Sequence, residues 1–137
     1  MLLDTSGLLA IVRHSEAEHE AAVDLYLKTT PRVTHSYILA EFIAVAHTRG
    51  VRRDVALEFS ERLLDAGEVE VRWITEDLHR QALDLLMARS DKTYSLCDAA
   101  SFVIMQQSHF SDALTTDRHF EQEGFRCLLR NTKGERR

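Results

Sequence analysis

Met1-Leu2-Leu3-Asp4-Thr5-Ser6 decides the fold: an apolar run stops at an acid, and a helix-capping hydroxyl follows at once. A short buried strand delivering into a helix is expected, with Ser6 capping the run through Leu8, Leu9, Ile11 and Val12. The pattern returns near the other end, where strand Ala113 to Thr115 leads to Asp117 and a short helix reaching Glu123. Between them, amphipathic spacing predicts helices from Glu16 to Lys28, Ser36 to Arg49, Asp54 to Ala66, Thr75 through Leu86 and Leu96 to Ser108. Alternation predicts strands at Arg32 to His35, Glu68 to Trp73 and Phe125 to Leu129. Strands separated by helices imply an α/β chain with a central parallel sheet of four to five strands and helices on both faces.

The 137 residues fit one domain, residues 1–137, without repeat or linker. A composition of 45% hydrophobic and 28% charged residues is that of a globular chain, and no apolar run suggests a membrane span. No basic stretch of a secretory signal stands at the start, which points to the cytoplasm. Cys97 and Cys127 lack paired metal spacing and are expected as reduced thiols. The net charge of −5 argues against indiscriminate polyanion binding, yet Arg126, Arg130, Lys133, Arg136 and Arg137 make the tail locally basic, either to touch phosphates or as a solvated end.

Four acids stand out. Asp4 and Asp117 follow strands at the carboxyl edge of the sheet, where open α/β sheets bind ligands. Glu41 lies between Ile38 and Val45, beside Phe42, and Asp98 precedes Phe102 and Met105, so both are expected to face inward. Asp24, Glu58 and Asp84 instead have charged i±4 neighbours and read as solvated. Helix capping is an alternative for Asp4, Asp98 and Asp117, but not for Glu41 in mid-helix. Like charges about 4 Å apart repel by roughly 4 kcal/mol at an effective dielectric near 20, so converging acids call for a cation. An all-oxygen set suits Mg²⁺ or Mn²⁺ and phosphodiester hydrolysis by an activated water.

The motifs Leu3-Asp4-Thr5-Ser6, Leu39-Ala40-Glu41-Phe42, Leu96-Cys97-Asp98-Ala99 and Leu114-Thr115-Thr116-Asp117-Arg118 resemble, in order and spacing, the PIN-domain nucleases, particularly the small VapC-like toxins. The resemblance spans nearly the whole chain. It implies a three-layer α/β/α sandwich and an Mg²⁺- or Mn²⁺-dependent endoribonuclease, with RNA as substrate, a small antitoxin as partner, and a homodimer held by helices. It maps the metal-binding and catalytic acids onto Asp4, Glu41, Asp98 and Asp117. Ser6 and Thr116 match hydroxyl positions that would orient a carboxylate or water, or else cap helices. Arg118 is a candidate phosphate contact. Where many relatives carry a further Asp or Asn, this chain has His119 and Glu121, with Glu121 expected as an exposed helix residue.

Other classes fare worse. The seven histidines form no zinc pattern, His14 and His19 being five apart, and most are expected at the surface or at helix ends. The glycines form no phosphate loop. An aspartyl-phosphate protein of the receiver or dehalogenase kind needs, for the latter, a second Asp where Ser6 stands, and Lys28, Lys92 and Lys133 do not fall convincingly at strand ends. A catalytically idle RNA-binding or partner-binding module is the remaining alternative.

Overall fold

Leu2 and Leu3 have no exposed surface, because the two-residue strand they form is central in the sheet. The computed structural model describes residues 1–130. In chain order its elements are β1 (Leu2–Leu3), α1 (Thr5–Val12), α2 (His19–Lys28), β2 (Val33–His35), α3 (Ser36–Ala46), α4 (Arg53–Asp65), β3 (Glu70–Arg72), α5 (Glu76–Ala88), α6 (Leu96–Ser108), β4 (Asp112–Leu114), α7 (His119–Gln122) and β5 (Arg126–Cys127). The sheet order is β3-β2-β1-β4-β5, and every pairing is parallel. Leu2 pairs with Val33 on one side and Ala113 on the other, while Leu3 pairs with Leu114.

Successive strands step outward from β1 to β3, and the chain then returns through α5 and α6 to lay β4 on the opposite side of β1. That reversal makes the β1–β4 boundary a topological switch point, where two strand ends open a crevice. Asp4 leaves the end of β1, and Thr115 to Asp117 leave the end of β4. A helix backbone packs closely there: a Cβ on Gly7 would sit 2.1 Å from the Leu114 carbonyl oxygen. The residue at this point of α1 can therefore only be glycine.

The core follows from the apolar stripes. Leu8 and Leu9 of α1, Ile38 and Phe42 of α3, Phe102, Ile104 and Met105 of α6, and Phe120 of α7 are all buried around the strands. Phe102 meets Phe120 edge-on with ring centroids 4.9 Å apart. This packing seats α6 and α7 against each other, which fixes the spacing of Asp98 from Asp117. The solvated control residues behave as charge spacing demands: Asp24 pairs with Lys28, Glu58 with Arg62, and Asp84 is exposed.

Several boundaries differ from the sequence reading. Helix α1 begins at Thr5 with Asp4 in the N-cap position, so Ser6 lies inside the helix instead of capping it. Helix α3 ends at Ala46, not Arg49. Strand β4 occupies Asp112–Leu114, one residue earlier than expected. The final strand stops at Cys127, because residues 128–130 are already helical. Arg126 of the basic tail is held by both carboxylate oxygens of Asp112, at 2.7 and 2.8 Å. Lys133, Arg136 and Arg137 lie outside the described residues.

Candidate metal and nuclease site

Asp4 is 5% exposed and receives a 2.8 Å hydrogen bond from the Thr115 hydroxyl. A hydroxyl carries one proton, so the other bonds at Thr115 Oγ1 must be accepted there. Ser6 Oγ donates to it at 3.1 Å, and the Asp117 N–H donates at 3.0 Å. Ser6 Oγ in turn accepts the Thr116 N–H at 3.0 Å. This relay stitches the start of α1 to the end of β4. Burial is the main force raising the Asp4 pKa to about 7; the bonds from Thr115 and the Thr5 backbone oppose it, and the charges of Asp98 and Glu41 add to it.

Asp98, 7% exposed, sits in the first turn of α6 within a capping box: its N–H donates to Ser95 Oγ at 3.0 Å, and its Oδ2 accepts the Ser95 N–H at 3.1 Å. The same Oδ2 lies 2.8 Å from His119 Nδ1. Asp117 accepts the His119 N–H at 2.9 Å, and its Oδ1 is 3.5 Å from His119 Nδ1. Capping and convergence are thus not alternatives for Asp98, whose carboxylate closes a capping box while lying within 4.8 Å of that of Asp117; Asp117 accepts the His119 N–H but stands before Arg118, the N-cap residue of α7.

Glu41 is half-buried in mid-α3 and lines an open groove with Asp4, Ser6, Thr116 and Asp117. The half-buried Cys97 thiol donates to it. Burial, followed by the charges of Glu41, Asp4 and Asp98, pushes that thiol far above its ordinary range. One site therefore gathers all four acids. The groove also contains a buried hydroxyl oxygen, Thr5 Oγ1, that has no hydrogen-bond partner among the described residues. A dense set of hard oxygen donors with one buried carboxyl near neutrality and one unsatisfied hydroxyl fits a divalent cation.

The hydroxyl that bonds Asp4 is that of Thr115, which the sequence reading, naming Ser6 and Thr116, did not single out. The Thr116 contribution comes from its backbone, whose N–H reaches Ser6 and whose carbonyl accepts from Arg130 at 3.5 Å. Arg118 is exposed at the N-cap position of α7. Glu121 turns outward to Arg130 at 3.2 Å.

Two histidines depart from the surface placement expected of most. His119 is in the site. His35 is fully buried at the junction of β2 and α3, where burial lowers its pKa to about 3. Its Nδ1 accepts the Ile38 N–H at 3.3 Å, so Nε2 carries the proton and donates to Ser101 Oγ at 2.8 Å; Ser101 then donates to the Cys97 carbonyl at 3.1 Å. This neutral imidazole ties the start of α3, which carries Glu41, to α6, which carries Asp98. Among the described lysines, Lys28 pairs with Asp24 and Lys92 with Asp91, so neither serves the acids as a phosphoacceptor site would need.

Residues 1–125 match the PIN domain family. The 23S rRNA-specific endonucleases VapC20 of Mycobacterium tuberculosis strains CDC 1551 and H37Rv are each 29% identical over 126 residues, which is 91% of this chain and 95% of theirs. The crystal structure of M. tuberculosis VapC20, described as a sarcin-ricin loop cleaving toxin, superposes with a TM-score of 0.82 at 28% identity. The superposition covers 91% of this chain and 95% of that one.

Proposed function

This chain belongs to the PIN-domain family, and from that premise we propose that residues 1–137 form a divalent-metal-dependent endoribonuclease, the toxin of a VapBC-type pair. The observation that carries the reading is Asp4: a buried carboxyl at the sheet switch point, near neutrality in its pKa, with Glu41, Asp98 and Asp117 gathered around it. Such an arrangement costs stability unless a cation offsets it, and an expensive site is kept for chemistry.

Asp4, Glu41, Asp98 and Asp117 would hold the ion, Mg²⁺ or Mn²⁺. Bound there, it supplies a more acidic water and neutralises charge on the scissile phosphate. The protein's own part is positional. Thr115 fixes Asp4, Ser6 fixes Thr115, and the Ser95 capping box fixes Asp98, so the acids are aimed before RNA arrives. Arg118, exposed and next in sequence to Asp117, is the proposed contact for a backbone phosphate.

The first substrate to offer is 23S rRNA carrying the sarcin-ricin loop, the target named for the relatives. Cleavage with Mn²⁺ or Mg²⁺ that stops in EDTA and in Asp4→Asn supports the assignment; cleavage persisting in EDTA refutes it. A small antitoxin is the proposed partner, entering the acidic groove with an Arg against the carboxylates. A homodimer is the proposed assembly, supported by Trp73 and Met87, which leave 63% and 70% of their surface exposed. The proposed location is the cytoplasm. No helix among the described residues is long and apolar enough to cross a membrane.

A further inference from the structure

We propose that His119 is itself a metal ligand, so that Asp98, Asp117 and His119 form a mixed oxygen and nitrogen centre that favours a transition ion, Mn²⁺, over Mg²⁺. The inference rests on the metal-dependent reading above and deepens it by naming the ligand atom that discriminates between the two ions. One ligand atom from each of the three residues lies within 4.8 Å of the others. His119 Nδ1 is 2.8 Å from Asp98 Oδ2 and 3.5 Å from Asp117 Oδ1. Two cis ligands of an octahedral ion held at about 2.1 Å lie about 3 Å apart, so these spacings suit one shared cation as well as they suit a hydrogen bond.

The other ring nitrogen supplies an independent observation. A ligating histidine gives its second N–H to a nearby acceptor, which fixes the tautomer. His119 Nε2 lies 3.2 Å from Thr93 Oγ1, a hydroxyl able to accept that proton. The Tyr94 ring, with its centroid 5.3 Å from that of His119, holds the imidazole from the side. Ligation therefore requires only that the proton sit on Nε2 and the Nδ1 lone pair face the ion. Imidazole nitrogen suits first-row transition ions, whereas Mg²⁺ prefers oxygen donors and water.

The test is pulsed electron paramagnetic resonance of Mn²⁺ bound to the purified full-length protein, alongside Mn²⁺ and Mg²⁺ affinities from calorimetry. Wild type should show ¹⁴N modulation from a directly bound imidazole. His119→Gln should lose it while still binding Mn²⁺ through the acids, and its preference for Mn²⁺ over Mg²⁺ should fall about tenfold or more. Bound Mn²⁺ without ¹⁴N modulation in wild type overturns the proposal and leaves the metal reading standing. Modulation that persists in His119→Gln also overturns it. A wild type that binds no Mn²⁺ sinks both. The wild-type spectrum decides even if the variant does not fold.

Discussion

The Thr115 hydroxyl donates to Asp4 Oδ2 at 2.8 Å between two buried side chains 111 residues apart, and this contact closes the seam between β1 and β4. Thr115→Val keeps the shape but takes one hydrogen bond each from the Asp4 carboxyl, the Ser6 hydroxyl and the Asp117 N–H. Leaving a buried polar group unsatisfied costs roughly 1–3 kcal/mol. The variant should melt several degrees lower, and cleavage should fall about tenfold or more as Asp4 loses its orientation. Thr116→Val should do neither, because only the Thr116 backbone takes part. Equal losses in both variants, by melting and RNA cleavage, would refute the assignment.

That distinction also shows what the sequence could not convey. Two adjacent threonines after a strand point to opposite sides, and a one-residue shift in the strand exchanges them. The strand reads naturally as 113–115, but β4 is 112–114, paired through Asp112 with Arg126, and it is the Thr115 hydroxyl that turns to Asp4. The acids were legible for the opposite reason. Glu41 and Asp98 interrupt helical stripes, and Asp4 and Asp117 end strands, so their placement is set by periods that need no tertiary detail. His119 and His35 carried no such signal, since a lone histidine beside a turn fits surface, core or site equally. Their roles arise from the long-range seating of α7 on α6, and of β2 and α3 on α6.

Gly7 tests the switch point itself. A methyl group there would meet a backbone carbonyl 2.1 Å away, and backbone cannot rotate aside as a side chain can. Gly7→Ala should push α1 from β4, separating Asp4 from Thr115, and should destabilise by about 3 kcal/mol or leave the chain unfolded. Gly67→Ala gauges backbone strain without a clash: its added Cβ meets nothing within 4 Å, but its φ of +73° lies in the left-handed region, so a loss of about 1–2 kcal/mol is expected there, smaller than at Gly7. Near-native melting of Gly7→Ala in a urea or thermal titration would contradict the close approach.

Divalent binding should depend on pH through Asp4. An ion needs the carboxylate, and below about pH 7 the folded protein holds a proton there, which binding must expel. The thermal shift produced by a fixed Mn²⁺ concentration should therefore be larger at pH 8 than at pH 6, and calorimetry should detect proton release at the lower pH. Asp4→Asn should show a smaller shift with a weaker pH dependence, because the Asp4 proton no longer has to be expelled. A wild-type shift independent of pH would argue against Asp4 as a ligand.

Without metal, Asp4 and His35 should act on stability in opposite directions over one pH window. The Asp4 pKa is raised from 3.8 unfolded to about 7 folded, so between those values the folded state binds the extra proton and stability falls as pH rises. The His35 pKa is lowered from 6.5 to about 3, so the unfolded state binds the extra proton and stability falls as pH drops through the same region. Each slope approaches about 1.4 kcal/mol per pH unit, and between roughly pH 4 and 6.5 they cancel. Metal-free wild type should therefore show a flat stretch there in urea midpoint against pH. Asp4→Asn should uncover the His35 limb, with stability climbing up to about pH 6.5. At pH 7 to 8 that variant should be more stable than wild type without metal, although inactive, because it no longer holds a buried charge. His35→Phe should uncover the other limb, with stability declining from about pH 4 toward 7, on top of a uniform loss from the Ile38 N–H, which loses its Nδ1 acceptor, while Ser101 keeps its bond to the Cys97 carbonyl. An Asp4→Asn profile as flat as that of wild type would mean that burial does not shift these two groups as their positions require.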